Sequence, residues 1–487
     1  MGIVYKQSAK NLIVTYFGFG IGAINTLFLY TRFLSDEYYG LVGVILSTAG
    51  LLMPLMAFGV PNTLVKYFSR YQDFNQRDNF LSLMILLPLV TIIPLACYSY
   101  LANEGIGNFL ARRNTIVKDY VWYIFFIGLA MAYFEVFYAW SKIQLRSVFG
   151  NFMKEIFVRA GISILLLLLH FQVITVAIFL KSMVVLYLLR TLIMAFKAFS
   201  MLSVKWSFRW TKDLSEVFNY SLLIILGGSS AVIILEIDRF MINQFIAIEN
   251  VAYYSVAVFI AIVIAVPARA MHQITYPLTA ELLNKQDYLS LGQLYKKSSL
   301  TLFIISGLVF LLIILNLEQL YTFLPITYRG GFIVVFLIGA TKVYDALNGI
   351  NNSILYNSKY YRSSLILGVF LALCTILFNW VFIPKFGIDG AAIASFIAIF
   401  LYNSLKLIYV YQKFKMQPFT RDTFKVGSLL IFLGVLFYSF QLSFAPIINI
   451  LIKSVLVIAC YFVILYRFQI SEDIVSKISP FFKSKKK

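Results

Sequence analysis

Groups that carry enzyme chemistry are scarce in this sequence. Of 487 residues, two are histidine, His170 and His272, three are cysteine, and 13% are charged. The histidines, cysteines and acids do not cluster at metal-binding spacing, and no glycine-rich loop follows a strand pattern. Cys97, Cys374 and Cys460 lie in apolar runs without a pairing pattern, so we interpret them as packing residues. The sequence therefore predicts no metal, no cofactor and no enzyme.

Apolar residues are abundant instead. They make up 61% of the chain, against about 45–50% in soluble domains, and the mean hydropathy is +0.85. A bilayer core takes about 20 apolar residues per helix, and such runs follow one another with short connections. The sequence predicts an all-α polytopic membrane protein with about fourteen transmembrane helices and no separate soluble domain.

The net charge of +20 is not distributed as in a nucleic-acid-binding protein. Most of the 41 lysines and arginines lie in alternate connections and near the chain ends, so they share one face of the predicted membrane domain; Lys66, in the second connection, and Lys142 and Lys154, in the fourth, are among them. By the positive-inside rule, that face and both termini are cytoplasmic. The group that fits this topology poorly is Arg112, Arg113 and Lys118. We interpret the basic tail as an anchor for anionic membrane lipids and expect no nucleic acid partner.

Two short similarities indicate an internal repeat. Residues 171–178 and 386–393 match at a phenylalanine, a β-branched residue and an Ala-Ile pair, and Tyr38-Tyr39 matches Tyr253-Tyr254. Both matches have an offset of 215 residues. Six helices per repeat is an even number, so the repeats would be parallel. The predicted domains are a six-helix bundle at 1–197, a second one at 198–415, two additional helices at 416–466 and a basic cytoplasmic tail at 467–487.

A short turn between two apolar runs predicts a tight hairpin of two membrane helices. Asn379 lies in the first run and Pro384 ends it. Gly387 lies in the turn, and Gly390 begins a run of small residues that lets two helices approach closely. The asparagine, an Ile-Pro pair, an aromatic-Gly-Ile triplet and a Gly-Ala-Ala-Ile-Ala run follow in this order. They resemble the hallmark of the polysaccharide flippases of the multidrug/oligosaccharidyl-lipid/polysaccharide exporter superfamily.

Two further stretches resemble the same family. One is the Asp-Arg pair of residues 237–240, followed by the Ala-Tyr-Tyr-Ser of residues 252–255. The other is residues 34–40, between the first two predicted helices. The three stretches lie in order along the chain, so the resemblance covers nearly all of it. It implies two parallel six-helix bundles, as in the multidrug exporters of this superfamily, with two C-terminal helices appended.

Ionisable side chains inside apolar runs are costly unless they are paired or lie in a wet cavity, so they are functional candidates. Four would make a cationic cavity if they face one lumen: Arg159, Lys181, Arg269 and Lys342. Such a cavity would hold a pyrophosphate and acidic sugars, although a purely structural role explains each residue equally well. Three others lie near helix ends, where snorkelling to the interface is the simpler interpretation: Arg190, Lys406 and Lys453.

A second set of charged residues is a candidate for ion coupling or charge pairing. Lys342 and Asp345 are three apart and can pair on one helix, whereas Asp238 and Arg239 are adjacent and point in different directions. Glu135 has no evident partner in the sequence. It is a candidate protonation site, and a buried neutral carboxyl is the equal alternative.

The resemblance implies a flippase that moves an undecaprenyl-pyrophosphate-linked oligosaccharide from the cytoplasmic to the outer leaflet of the bacterial inner membrane. Its partners would be this lipid, membrane lipids and the polysaccharide polymerase machinery, and alternating access would use an H+ or Na+ gradient. A multidrug/cation antiporter and a lipid II flippase with the same fold stay open as alternatives. A membrane glycan polymerase or ligase is a third, but it should carry a large external loop and a catalytic acid, base or histidine.

Overall fold

The computed structural model describes residues 2–71, 73–206, 214–440 and 444–471. In these ranges the chain forms helices and their connections and contains no strand. The predicted all-α class is therefore confirmed. Most of the predicted basic tail, residues 472–487, lies outside the described residues.

The described residues form twenty-one α-helices, numbered here in chain order. They are α1 (Gly2–Ile24), α2 (Tyr30–Phe33), α3 (Asp36–Met56), α4 (Val60–Tyr67), α5 (Phe74–Leu86), α6 (Leu89–Leu101), α7 (Asn103–Leu110), α8 (Val121–Ile143), α9 (Ser147–Phe152), α10 (Val158–His170), α11 (Val176–Met201), α12 (Leu214–Phe245), α13 (Glu249–Ile262), α14 (Val266–Asn284), α15 (Tyr288–Leu315), α16 (Leu317–Tyr321), α17 (Phe332–Leu347), α18 (Asn351–Asn357), α19 (Tyr361–Phe414), α20 (Arg421–Tyr438) and α21 (Pro446–Arg467). Short π-helical or 3₁₀ segments lie at Asn25–Leu29, Phe68–Arg70, Thr115–Tyr120, Met153–Phe157, Val263–Ala265 and Ile326–Tyr328.

Polar side chains begin several of these helices. Ser35, Asp73 and Thr175 each accept a hydrogen bond from the backbone N–H three residues later, at the start of α3, α5 and α11. Asp287 and Thr420 do the same for α15 and α20. These caps satisfy backbone donors that the first turn of a helix leaves free.

Nine helical segments of the described residues are long and apolar enough to cross a membrane. Helices α17 and α18 pass this test together, with a bend of 58° between them, and give a tenth. Each predicted apolar run falls mainly on helical residues, but the number of fourteen crossings stays a prediction. The nine segments are Lys10–Phe33, Asp36–Met56, Phe74–Leu101, Thr115–Ile143, Val176–Met201, Glu249–Asn284, Tyr288–Leu315, Tyr361–Phe414 and Pro446–Arg467.

Helix α19 contains the predicted hairpin. Its backbone is non-helical at Gly387, with φ 59° and ψ −134°, and a Cβ at Gly390 would lie 2.1 Å from the carbonyl oxygen of Phe382. In a straight helix, residues eight apart are separated by about 12 Å. The chain therefore reverses direction between Phe382 and Gly390, which confirms the hairpin. The positive φ and the close backbone approach are both suited to glycine.

A second backbone feature supports the internal repeat. Gln172 has a φ of 58° and Gly387 has a φ of 59°, and these two residues are separated by the same offset of 215 as the sequence matches. A positive φ is uncommon for a residue other than glycine. A positive φ therefore occurs at equivalent positions of the two proposed repeats.

The chain divides by spatial proximity into two compact units. Unit 1 comprises Met1–Ser255 and Ala372–Ala391, and unit 2 comprises Val256–Leu371 and Ala392–Lys487. The predicted limits of the two six-helix bundles, the added helices and the tail stay a prediction.

In unit 1, α8 is the central helix. Helices α3, α4 and α11 pack against α8, and α12 packs against α3. Side chains with no more than 1% exposure fill the space between α4, α5 and α8, and they include Tyr67, Phe80, Phe134 and Trp140.

In unit 2, α15 is the central helix. Helices α14, α17 and α20 pack against α15, and α21 packs against α16 and α20. Ile304, Leu433 and Tyr461 are buried between α15, α20 and α21.

The close approach in the hairpin generates a test of the fold. Gly390→Ala would place a Cβ against the Phe382 carbonyl, and we expect it to destabilise the protein by about 1–3 kcal/mol, which is typical of overpacking. Gly20→Ala in α1 is the control, because a Cβ there has no neighbour within 4 Å. Thermal unfolding of the purified protein in detergent measures both. Equal melting temperatures for the two variants would contradict the hairpin geometry.

Candidate functional site

A buried carboxylate in unit 1 joins the segments that resemble the flippase family. Asp238, on α12, is 6% exposed. One of its oxygens accepts a hydrogen bond from the Tyr254 hydroxyl at 2.5 Å, and the other accepts one from Asn379 Nδ2 at 2.7 Å. Tyr254 lies on α13 and Asn379 on the first arm of the hairpin. The hallmark asparagine and the Asp-Arg pair, 141 residues apart in sequence, are therefore in direct contact.

The neighbouring Arg239 points away from Asp238 and has its own partners. Its Nη1 donates to Glu236 Oε2 at 2.9 Å, and its Nε donates to Ser255 Oγ at 2.9 Å. The different directions expected for Asp238 and Arg239 are thus observed. The guanidinium is neutralised by a carboxylate of its own helix and is held against α13.

The third family-like stretch reaches the same region. The Tyr253 hydroxyl donates to Asp36 Oδ2 at 2.9 Å, and a Cβ at Gly40 would lie 2.1 Å from the Ile248 carbonyl oxygen. The start of α3 therefore lies directly against the segment before α13. We call this group of residues the Asp238 cluster: Asp36, Glu236, Asp238, Arg239, Tyr253, Tyr254, Ser255 and Asn379.

Unit 1 also contains a cavity with a mainly cationic set of charged side chains. The cavity has a volume of about 590 Å³. Its charged lining residues are Lys66, Lys142, Lys154 and Glu135, and the remainder is largely apolar. Lys154 Nζ donates to Glu135 Oε1 at 2.6 Å. The sequence offered no partner for Glu135, and the structure shows that this expectation was wrong, because Lys154 from the π-helical turn before α10 lies beside α8.

The wall of this cavity that contains Lys66 is fixed by contacts between α4 and α12. Lys66 Nζ lies 3.6 Å from the centroid of the Tyr220 ring. Tyr67 and Arg70 both donate to Glu216 at the start of α12, at 3.1 Å and 3.0 Å. These two donors lower the pKa of the Glu216 carboxyl and keep it ionised. Tyr220 is thereby held over Lys66.

None of the four arginines and lysines predicted to form a cationic cavity lines this one. Arg159 pairs with Glu155 Oε2 at 2.9 Å on its own helical turn. Lys181 and Arg269 have exposed side chains, and Lys342 is half-buried. Their meeting in a common lumen stays a prediction. Asp345, also half-buried, accepts from Asn403 Nδ2 at 3.5 Å, and its pairing with Lys342 likewise stays a prediction.

Three basic residues interpreted as snorkelling are instead buried. Lys406, Lys453 and Arg190 are 1%, 2% and 6% exposed. Lys406 Nζ donates to Asn352 Oδ1 at 2.7 Å, and Lys453 Nζ donates to the Leu315 carbonyl at 2.8 Å. The Arg190 guanidinium lies 4.0 Å from the centroid of the Phe134 ring. The interpretation was wrong because neighbouring helices cover these helix ends, and the sequence of one helix does not show which neighbour lies beside it.

The cavity lysines were missed for a related reason. Lys66, Lys142 and Lys154 were counted only as cytoplasmic loop charges. The available signal was that Lys142 and Lys154 flank the same short connection after α8. Two lysines on either side of a turn can face one space.

The fold is that of membrane transporters with known structures. A structure titled lipid II flippase MurJ, inward closed conformation, matches with a TM-score of 0.70 and 15% identity, and the match covers 94% of this chain and 99% of that chain. An inward-facing multidrug resistance MATE family transporter of the MOP superfamily matches with a TM-score of 0.63 and 14% identity, over 84% and 98% of the two chains. At these identities the likeness establishes the fold. The chain is therefore a multi-pass membrane protein with the fold of these transporters.

Sequence comparison supplies the family. Residues 4–283, more than half of the chain, match the family described as polysaccharide biosynthesis protein. The chain belongs to this family, which confirms the polysaccharide family indicated by the three stretches. An uncharacterized membrane protein of Methanocaldococcus jannaschii is 21% identical over 401 residues, which cover 77% of this chain and 77% of that protein.

The Asp238 contacts generate a prediction about stability. Asp238→Ala leaves Tyr254 and Asn379 without their acceptor, and Asn379→Ala removes one donor to a buried carboxylate. Each change should cost about 1.5–3 kcal/mol. The double variant should lose much less than the sum, because the two changes remove the same bond. Thermal unfolding of the four proteins of this cycle measures the coupling.

The control is a buried hydrogen bond elsewhere in unit 1. Thr191, on α11, donates to the Ala130 carbonyl at 2.7 Å. Thr191→Val combined with Asn379→Ala should give additive losses. Additive losses for Asp238→Ala with Asn379→Ala would contradict the direct contact.

Proposed function

We propose that this protein moves an undecaprenyl-pyrophosphate-linked oligosaccharide from the cytoplasmic to the outer leaflet of the bacterial inner membrane, for surface polysaccharide assembly. The observation that carries the proposal is the cavity of unit 1, where Lys66, Lys142 and Lys154 face one space of about 590 Å³. Family membership supports the polysaccharide context.

The charge of the cavity fits a pyrophosphate. Three ammonium groups and one carboxylate leave a net positive charge, and lysine ammonium groups bind phosphate oxygens as mobile point charges. The Glu135 carboxylate pairs with the Lys154 ammonium, with 2.6 Å between Oε1 and Nζ. A pyrophosphate would compete with this carboxylate for Lys154. Glu135 would therefore neutralise one lysine charge whenever no pyrophosphate is bound.

The size and the other lining groups fit the first sugars. Pockets for small ligands commonly have about 300–1,000 Å³. Asn62 offers an amide for sugar hydroxyls, and Tyr220 offers an aromatic face beside Lys66. The lipid tail would stay in the bilayer, outside the cavity.

The predicted topology agrees with loading from the cytoplasm. Lys66, Lys142 and Lys154 belong to the connections that the positive-inside rule assigns to the cytoplasmic face, together with both termini. The transport step would follow alternating access driven by an H+ or Na+ gradient. Polysaccharide polymerase machinery would take the product at the outer leaflet.

Lipid II is a second candidate cargo. The fold match with a lipid II flippase has a TM-score of 0.70, and a pyrophosphate-linked lipid would use the same three lysines. A cation antiporter is disfavoured, because a cavity with three lysines and one glutamate repels cationic drugs.

Proteoliposomes test the proposal. The full chain is reconstituted with a fluorescent undecaprenyl-pyrophosphate-linked oligosaccharide, and flipping is followed with a membrane-impermeant quencher. We expect the triple variant K66Q/K142Q/K154Q to flip at least about tenfold more slowly, which corresponds to about 1.4 kcal/mol of lost headgroup binding.

The matched control is Lys285→Gln. Lys285 Nζ also pairs with a glutamate, Glu281, at 2.6 Å, but this pair does not line the cavity. Flipping by this variant should equal that of the unmodified protein. Unchanged flipping in the triple variant would refute the headgroup site, and faster flipping of lipid II than of the oligosaccharide lipid would favour the second candidate.

A further inference from the structure

A buried lysine in unit 2 carries an inference about energy coupling. Lys406 lies on the second arm of α19 and is 1% exposed. Its Nζ donates to Asn352 Oδ1 at 2.7 Å and lies 4.1 Å from the centroid of the Tyr402 ring. An ammonium at such depth in a membrane bundle is costly unless a negative charge compensates it.

The nearby negative charge belongs to Asp345, but the two groups are not in contact. Across the described ranges, no carboxylate oxygen lies within 4.0 Å of Lys406 Nζ. Asp345 lies on α17 and accepts from Asn403 at 3.5 Å. His272, on α14, lies close enough to interact electrostatically with both Asp345 and Lys406. The Asp345 carboxylate, the Lys406 amine and the His272 imidazole, from three helices, therefore lie near one another, and Asp345 and Lys406 do not form an ion pair.

Phenols from several helices surround this site, and two basic side chains lie one helical turn from its members, Arg269 before His272 and Lys342 before Asp345. Tyr402 on α19 and Tyr356 on α18 lie in electrostatic reach of each other, and Tyr402 also interacts with Asp345. Tyr344 on α17 bonds with Ser404, and Tyr295 on α15 accepts from Asn351. Phenols remain neutral near physiological pH. Arginine also keeps its proton. The groups able to exchange protons are therefore the Asp345 carboxylate, the His272 imidazole and the amines of Lys342 and Lys406, of which Lys406 is the more deeply buried.

We propose that His272, Asp345 and Lys406 form one proton-exchange site, at which Lys406 releases and rebinds a proton in each transport cycle. This rests on the proposed function, since the site would supply its coupling to a proton gradient. Release breaks one N–H bond of the ammonium, and the proton moves to the Asp345 carboxylate, then to the His272 imidazole and then to water. After release Lys406 is a neutral amine, Asp345 is ionised again and the site carries one positive charge fewer; rebinding reverses these steps.

A second buried lysine shows what a purely structural arrangement looks like. Lys453 on α21 is 2% exposed, and its Nζ donates to the Leu315 carbonyl at the C-terminus of α15. A cation at a helix C-terminus is stabilised by the helix dipole and by the free carbonyl. Lys453 is therefore the matched control for removing a buried lysine.

Proton counting without any substrate tests the proposal. The full chain in lipid nanodiscs is titrated potentiometrically between about pH 6 and pH 9, for the unmodified protein, Lys406→Arg and Lys453→Arg. Arginine keeps the positive charge and cannot release its proton. We expect Lys406→Arg to release about one proton fewer per protein and Lys453→Arg to release the same number as the unmodified protein.

Equal proton release by Lys406→Arg and the unmodified protein would overturn the proposal. If Lys406→Arg does not fold, Asp345→Asn takes its place, because loss of the negative charge favours the neutral amine and should move release of this proton to lower pH. Release unchanged in Asp345→Asn would then overturn it. In proteoliposomes, Lys406→Arg should flip lipid at a rate that no longer depends on the pH gradient. An unmodified protein that exchanges this proton but flips no lipid would refute the proposed function and leave the proton site standing.

Discussion

Polar groups inside a membrane bundle have no water to bond, so each must find its partner on another part of the same chain. The contact of Asp238 with Tyr254 and Asn379 is the main example in unit 1. It ties α12, α13 and the hairpin of α19 together through one carboxylate. Close backbone approaches also occur in this region, between Gly40 and Ile248 and, within the hairpin, between Gly390 and Phe382.

Three of the arrangements of buried and cavity charges have different consequences. In the Asp238 cluster every charged side chain has a direct hydrogen-bond partner, which favours a rigid joint. In the cavity of unit 1, three lysines face a single carboxylate, and the excess positive charge favours binding of an anion. Around Lys406, the opposite charges are close but not in contact, which favours a change of protonation. In the proposals for the cavity and for Lys406, the degree of local charge compensation is what distinguishes a structural, a binding and a coupling role.

The sequence predicted those parts of the molecule that depend on local backbone geometry. The helical class follows from the apolar runs. The hairpin follows from Pro384, Gly387 and Gly390, because proline and glycine indicate where a helix ends and where the backbone turns. Side-chain partners were not predictable in the same way. Glu135 meets Lys154 from a neighbouring helix, and Lys406 meets Asn352, 54 residues away. Such contacts depend on how distant helices pack, and one sequence does not specify this.

The central claim is that the protein transfers a lipid-linked oligosaccharide between leaflets. The most direct measurement is to delete its gene in the host and quantify undecaprenyl-linked oligosaccharide on each leaflet of the inner membrane. The account predicts that completed lipid-linked units accumulate on the cytoplasmic leaflet while the surface polymer disappears. A normal distribution of these lipids, together with increased sensitivity to cationic drugs, would contradict it.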